Sequence, residues 1–594
     1  MNKIKKTKLE HFFIFLCVLL FCVLFVNRLF YAIDTSDEAF YCITGYRLIK
    51  GNIPFGDMWE PIAGTSFIMA PFLYLRSFFV SDGEGIVLYL RLCFFVLSLL
   101  PAWAIYRYAK LTVDKGYALL LGLVFLFYAP FQLVNFSYNS LAITFTTLSL
   151  CMLFIGVRTQ NNKFYYIMGI STALAVLAYP TVINFCFIIL LVLFFKGSSK
   201  RSCIDRLFFI LGGLTIFMPV LLYFSYHVGM GTVLANLSVI TNNVNTSSNF
   251  FLWHLLKRVC EALLYFVKLI YDNGLLFLGY WILILIAFLK KARASLKYLI
   301  VFYPLICGIS SAVYILNKPA YITNKVVMFY IFSLSLLQFV SLLISKDWKQ
   351  LLRKNCFEWG LSLLLYFILA ISSGGGARNA ICGLIFTSII SIKILVEVVS
   401  EKSQIESYIK FNTMEISFMI LMIIGCEIFL FYKAPYLDKD ISKLTAKVET
   451  GVFKGLYTTP DRKQHIEDLE SVVKKLEDKN EKVMVLYHNC YAYLMIDMLP
   501  KTPSSWGCYD YQAYKFDNQN LFMSYLSNKD NVPDTIFIID IPKQFDYSFE
   551  RVERYEPYYP LLNSFIKSHY NLVGTYEKGL SGKITKYKIN FASF

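Results

Sequence analysis

The sequence predicts a polytopic α-helical membrane protein, with about 13 transmembrane helices and a C-terminal extracytoplasmic α/β domain. Three observations predict it. Hydrophobic residues make up 57% of the 594 positions and charged residues 16%, with a mean hydropathy of +0.54. Soluble domains carry about 25% charged residues, and one soluble core stops growing at about 250–300 residues. Short Lys/Arg clusters separate apolar runs long enough to cross a bilayer. After Tyr432 the composition turns abruptly polar.

The first apolar run, Phe12 to Ile33, follows Lys3, Lys5, Lys6 and Lys8. It is too long for a signal-peptide core and no small-residue cleavage site follows, so it reads as an uncleaved first span with its basic end inside. Basic clusters then mark inner loops: Arg107/Lys110/Lys115, Arg158/Lys163, Lys196/Lys200/Arg201/Arg206, Lys290/Lys291/Arg293/Lys297, Lys346/Lys349/Arg353/Lys354 and Lys402/Lys410. The implied spans are 12–33, 86–106, 117–134, 140–157, 165–180, 182–196, 207–226, 273–289, 298–315, 326–344, 358–372, 380–399 and 413–432. Pro180 marks either a turn between two spans or a kink in one. Parity places residues after 432 outside, dividing the chain into a membrane domain, 1–432, and an outer domain, 433–594.

The net charge of +17 sits in those inter-span clusters and forms no basic stripe with interleaved aromatics, which excludes nucleic acid as a partner. The 14 cysteines form no CxxC pair. Cys490 and Cys508 lie in the polar tail, where an oxidising compartment would allow them to pair. The six histidines are scattered without ligand spacing, so no metal centre is expected from them.

Two outside loops are long. Loop 34–85 carries Asp34, Asp37, Glu38, Asp57 and Glu60, with an amphipathic stretch from Ala39 to Lys50 and an apolar one from Thr65 to Val80. Both stretches read as helices lying at the membrane surface. Loop 227–272 holds a further amphipathic helix from Phe250 to about Val267. In the tail, Thr459-Pro460-Asp461 is a helix start: N-cap, proline at the first position, acid in the first turn. A helix to Lys479 leads into strands at Lys482–Tyr487 and Thr535–Ile539, and paired segments follow near Asn571–Tyr576 and Ile584–Ile589.

The chemistry concentrates in Asp34-Thr-Ser-Asp37-Glu38-Ala39-Phe40-Tyr41 and, further on, Asp57-Met-Trp59-Glu60-Pro61. Paired carboxylates immediately outside a first span resemble the C superfamily of membrane glycosyltransferases (GT-C). That superfamily includes the protein O-mannosyltransferases and the enzymes that decorate lipid A with aminoarabinose. The resemblance implies a donor sugar on a polyprenyl phosphate, a cell-envelope acceptor, membrane lipids as surroundings, and a site on the outer face of the plasma membrane. Asp37-Glu38 matches the motif, and two surface helices match the layout that follows it. In chemical terms, a hydroxyl is a poor nucleophile at neutral pH, and a carboxylate within hydrogen-bond reach takes its proton as it attacks. Asp37 is the first candidate base and Glu38 the second. The alternative reading is that Ser36 or Asp37 caps the next helix, with acid favoured at the positive end of its dipole.

The resemblance places Asp57 and Glu60 in the substrate site. A departing phosphate needs cations or oriented donors. Arg378 qualifies, in the glycine-rich turn Ser372-Ser-Gly-Gly-Gly-Ala-Arg378-Asn. Arg91 lies inside the second span, where a charge is costly and often functional; its other reading is a structural pair with an acid such as Glu84 or Glu427. Tyr138 and Asn139, in the second outside loop, offer hydrogen bonds to sugar hydroxyls or to helix ends. That loop lacks the second acid that some relatives carry, so no metal and no cofactor is expected. Two other classes compete. A polysaccharide polymerase or oligosaccharide ligase relies on basic outer loops, and a transporter or flippase shows repeat symmetry that this chain lacks.

Overall fold

The computed structural model describes residues 2–80, 83–128, 134–195, 200–244, 251–316, 323–372, 376–380, 383–401, 405–433, 435, 438–486, 490–505, 518–542 and 560–590. Its helices follow the apolar runs in order: α1 Asn2–Leu29, α2 Asp37–Ile49, α3 Thr65–Ser77, α4 Ile86–Ala109, α5 Lys115–Leu126, α6 Tyr138–Thr159, α7 Asn162–Ala178, α8 Ile183–Phe195, α9 Lys200–His227, α10 Met230–Val244, α11 Phe251–Asn273, α12 Leu275–Leu289, α13 Arg293–Leu316, α14 Thr323–Ser335, α15 Leu337–Ile344, α16 Trp348–Ser372, α17 Ala377–Ala380, α18 Leu384–Val399 and α19 Thr413–Lys433. Their boundaries have local causes. The Ser137 hydroxyl accepts from the Ser140 amide at 3.0 Å and starts α6, and the Asn161 side chain accepts from the Lys163 amide at 3.0 Å and starts α7. Pro180 opens a short 3-10 turn between α7 and α8, so it marks a break.

The fold class is as expected. Among the described residues seven helices are long and apolar enough to cross a membrane, or eight if the pair Leu256–Asp272 and Leu275–Leu289, bent by 96°, counts as one. Several runs expected to span are shorter: Lys115–Leu126 has 12 residues. At about 1.5 Å per residue such a helix falls well short of a hydrocarbon core of about 30 Å.

Helices pack closely where side chains are smallest. A Cβ at Gly169 would run into the Phe209 carbonyl and one at Gly212 into the Tyr166 carbonyl, so α7 and α9 touch backbone to backbone. At the other end of α4 and α6 from the acidic loop, Glu358 of α16 gathers Tyr108 of α4, Arg158 of α6 and Lys393 of α18, the last at 3.0 Å. Charges with no exposure, such as Lys393, persist in an apolar bundle only when paired.

The tail carries two sheets. Strands β1 Ala446–Lys447 and β2 Tyr457–Thr458 form an antiparallel pair. The larger sheet has the order β4-β3-β5-β7-β6, built from β3 Lys482–Leu486, β4 Leu499–Pro500, β5 Thr535–Asp540, β6 Tyr570–Tyr576 and β7 Lys583–Ile589. β3 runs parallel to β4 and β5, while β7 is antiparallel to β5 and β6. Helix α20, Pro460–Leu476, begins at N-cap Thr459 as its sequence indicated. Three further helices complete the tail: α21 Ala492–Met495, α22 Asn518–Leu526 and α23 Pro560–His569. One buried apolar cluster runs from the membrane helices into the tail without a break, taking in Phe25, Ile33, Val452, Ile466 and Tyr491.

Candidate functional site

The acidic loop is gripped from every side. Helix α2 is buried from Glu38 to Leu48, because α3 covers one face and the tail another. This differs from the surface helix that its amphipathic pattern suggested. α3 keeps the expected character, exposing Tyr74, Leu75 and, just past its end, Phe78 and Phe79. A Cβ at Gly64 would meet the Leu177 carbonyl, so only glycine lets the chain before α3 lie against α7.

The three acids at the start of α2 have different environments. Asp34 is 2% exposed; its two carboxylate oxygens accept the amides of Ser36 at 2.8 Å and Glu38 at 2.9 Å. The side chain that caps α2 is therefore Asp34, since N-cap Ser36 makes no capping bond through its own hydroxyl. Burial, then the charges of Asp37 and Glu38, push the Asp34 carboxyl well above the usual carboxylate range. Glu38, 1% exposed, forms a two-pronged pair with Arg91 at 2.7 and 2.6 Å. Asp37, the first residue of α2, is the half-buried member of the set.

Arg91 also donates to the carbonyls of Leu29, Tyr31 and Ala32 at 2.6, 3.2 and 2.8 Å. Its guanidinium is thus spent inside the protein, on Glu38 rather than on Glu84 or Glu427. Glu84 instead faces Lys454 of the tail at 3.1 Å, and Glu427 has no hydrogen-bond partner among the described residues.

Asp57 and Glu60 face the tail. Asp57 pairs with Lys501 at 2.5 Å and accepts the Ile53 amide at 2.9 Å. Glu60, 4% exposed, accepts the Ser505 amide at 2.5 Å, and its other oxygen is buried without a hydrogen-bond partner among the described residues. Burial raises its carboxyl above the ordinary range, against the pull of Arg47 and Ser505. Sequence reasoning missed Arg47. With no exposure, it donates to Asn52, Ser505, the Asp57 carbonyl and the Thr502 carbonyl at 2.8–3.0 Å, sewing α2 to the tail. A buried arginine on an amphipathic stretch was the available signal; its partners, up to 458 residues away, were not.

Tyr138 stands between Tyr41 of α2 and Tyr179, with ring centroids at 5.8 and 4.9 Å. Its neighbour Asn139 is 1% exposed on the first turn of α6. Tyr138, expected to meet sugar hydroxyls or helix ends, therefore adjoins the acidic helix. The side chain of Arg378 lies outside the described residues, as does most of the glycine run beside it. Gly376 is described, with φ +57°, and Arg258 of α11 stands over it: a Cβ there would lie 3.0 Å from the Arg258 guanidinium. Among the described residues Arg258 makes a long contact of 3.8 Å with Glu261 and keeps 26% of its side chain exposed. It is a second cation at that turn that sequence reasoning overlooked.

Cys490 is a free thiol, 3.2 Å from the Ser36 carbonyl, and Cys508 lies outside the described residues. Among the described residues no three His, Cys, Asp or Glu side chains are grouped to hold a metal ion.

Residues 69–223 match the family model described as dolichyl-phosphate-mannose-protein mannosyltransferase. The chain thus resembles the GT-C membrane glycosyltransferases. The matched segment begins after the acidic motif and includes Arg91, Tyr138 and Asn139. Two solved structures of ArnT from Cupriavidus metallidurans are also similar to the chain. The apo form is 10% identical with a TM-score of 0.40, covering 98% of each chain; the form bound to undecaprenyl phosphate is 11% identical with a TM-score of 0.39, covering 97% of this chain and 98% of that one. No curated protein matches by sequence.

His465 of α20 lies buried in the tail beside Tyr491. Its Nδ1 donates to the Leu580 carbonyl at 2.6 Å and its Nε2 accepts from the Tyr491 hydroxyl at 2.9 Å. Burial lowers its pKa to about 4. An unfolded histidine binds its proton near 6.5, so between those values the unfolded state holds more protons and tail stability falls as pH falls. The full effect below pH 4 is roughly 3 kcal/mol. Acidification from pH 7 to 4.5 should lower amide-exchange protection of β3 and β5, and His465→Asn should flatten that slope; an equal slope in both proteins would refute it.

Proposed function

We propose that the protein is a glycosyltransferase that moves a sugar from a polyprenyl-phosphate donor to a hydroxyl of a cell-envelope acceptor, with Asp37 as general base. One observation carries the choice of base: of three neighbouring acids, Asp34 and Glu38 are buried at 2% and 1% exposure, while Asp37 is the one with side-chain surface open at the helix start. The matched family, named for a dolichyl-phosphate-linked mannose, supports the lipid-phosphate donor. Asp37 takes the proton as the acceptor oxygen bonds to the anomeric carbon, and the carbon–phosphate-oxygen bond breaks to release polyprenyl phosphate. Tyr138 and Asn139 border the sugar, with Asp57 and Glu60 shaping the wall toward the tail. Arg258 and Arg378 meet the phosphate at the glycine turn. Glu38 and Arg91, assigned to the site by their residue types, hold the loop in shape. The positive-inside pattern supports an inner N-terminus, with loop 34–85 and the tail 433–594 outside the plasma membrane.

The test is transfer of labelled sugar by the full chain in vesicles supplied with polyprenyl-phosphate hexoses and pentoses and an envelope extract. Transfer that releases polyprenyl phosphate is expected, and none from any donor would overturn the reading. In the same assay Arg258→Ala should raise the donor KM about tenfold with kcat little changed, the loss of one charge-assisted contact. An unaltered donor KM would remove Arg258 from the phosphate site.

A further inference from the structure

The segment that delivers the chain into α2 is held by the tail at one residue in particular. Ile33, directly before Asp34, donates its amide to Asp438 at 2.9 Å and offers its carbonyl to Arg462. Asp438 and Arg462 are each 2% exposed and face one another at 3.5 Å, and Thr458 donates its hydroxyl to the same Asp438 oxygen at 2.9 Å. Alongside, Tyr457 exchanges backbone bonds with the first loop: its carbonyl accepts the Ala32 amide at 2.9 Å and its amide reaches the Phe30 carbonyl at 2.7 Å. Ala32 has φ +73°, a left-handed conformation that a residue with a β-carbon adopts only when its surroundings impose it. Arg91 holds the Ala32 carbonyl from the membrane side.

A buried ion pair adds little net stability, because desolvation offsets its attraction. What it does supply is direction: charge-assisted bonds are short and angle-dependent. Here both groups of the pair are aimed at the two faces of a single residue. Four residues later the chain reaches Asp37.

We propose that the Asp438–Arg462 pair is a positioning device for the carboxylate base, by which the tail sets, through the backbone of Ile33, where Asp37 stands. This rests on the glycosyltransferase reading. The order of action is fixed by connectivity: the pair orients Ile33, Ile33 places Asp34, Asp34 caps α2, and the first turn of α2 presents Asp37. A displacement of about 1 Å at a reacting group costs on the order of 100-fold in rate, so a remote pair of this kind acts on kcat.

The experiment uses the full chain in vesicles, with Asp438→Asn, Arg462→Met and Arg462→Lys. Two readouts are taken, transfer kinetics and amide exchange. Asp438→Asn and Arg462→Met should lower kcat roughly 10- to 100-fold at unchanged donor KM, and speed exchange at the amides of Ile33, Ser36 and Glu38. Removing one partner of a buried pair also lowers overall stability, so exchange in β3 and β5 should speed as well but by much less than at 33–38, and Arg462→Lys should recover part of the rate. Unchanged kcat, or unchanged exchange at 33–38, overturns the proposal. Loss of protection throughout the tail sheet in parallel with activity also overturns it, since the pair would then merely hold the tail together. If the parent chain transfers no sugar, the functional reading fails by itself; the exchange at 33–38 still decides whether the pair controls the loop.

Discussion

Arg91→Met is expected to be the most destabilising change in the site, at about 3–5 kcal/mol, the usual result of removing one partner from a buried ion pair. Arg91 is 6% exposed and satisfies both Glu38 oxygens and three carbonyls. Methionine fills similar volume but leaves Glu38 as an uncompensated buried charge and strands the carbonyls of Leu29 and Ala32. Lysine fares little better, because one ammonium cannot reproduce a fork that spans a carboxylate and a loop. The double variant Arg91→Met/Glu38→Met should recover part of the loss, which would mark the pair as the coupled element. Thermal inactivation of the solubilised chain measures all of this. A wild-type midpoint for Arg91→Met, with only the donor KM raised, would restore Arg91 to the phosphate site.

That case shows which parts of the molecule were legible in the sequence. An arginine in an apolar run announces that something must compensate it, yet nothing local says that the partner is Glu38, 53 residues earlier. The sequence candidates were Glu84 and Glu427, both plausible by depth. Helix positions were readable because hydrophobic runs and caps such as Thr459-Pro460 act over a few residues. The β-strands of the tail were readable from β-branched and aromatic runs bounded by polar turns, as at Lys482–Leu486 and Thr535–Asp540. The count of crossings was less legible, because apolar content decides that a run is buried while helix length decides whether it can cross.

The site was legible in its acids and illegible in its walls. Asp34 directly follows the first apolar run, and an acid shortly before a helix is a capping signal; here its carboxylate reaches the Glu38 amide four residues on. Arg47, Lys501, Thr502 and Ser505 join the first loop to the tail over separations of more than 440 residues. Such contacts leave no periodicity, because each side satisfies only its own local rules. Their physical consequence is that loop 34–64 and the tail share one packing unit, and neither is expected to hold its shape without the other.

Asp37→Asn is expected to lower kcat by about 10²- to 10⁴-fold, the ordinary contribution of a positioned general base. Asparagine is nearly isosteric, sits as well in the first turn of a helix, and leaves the Asp34 cap and the Glu38–Arg91 pair in place. The protein should therefore fold normally, and donor KM should change little if the phosphate binds at the Arg258 turn as proposed. Glu38→Gln should behave differently, losing thermal stability together with activity, since a neutral amide cannot answer both prongs of Arg91. Measured side by side, the two variants separate a base from a strut. If Asp37→Asn transfers sugar at the parent rate while Glu38→Gln folds normally and is inactive, the base is Glu38 and the roles are reversed.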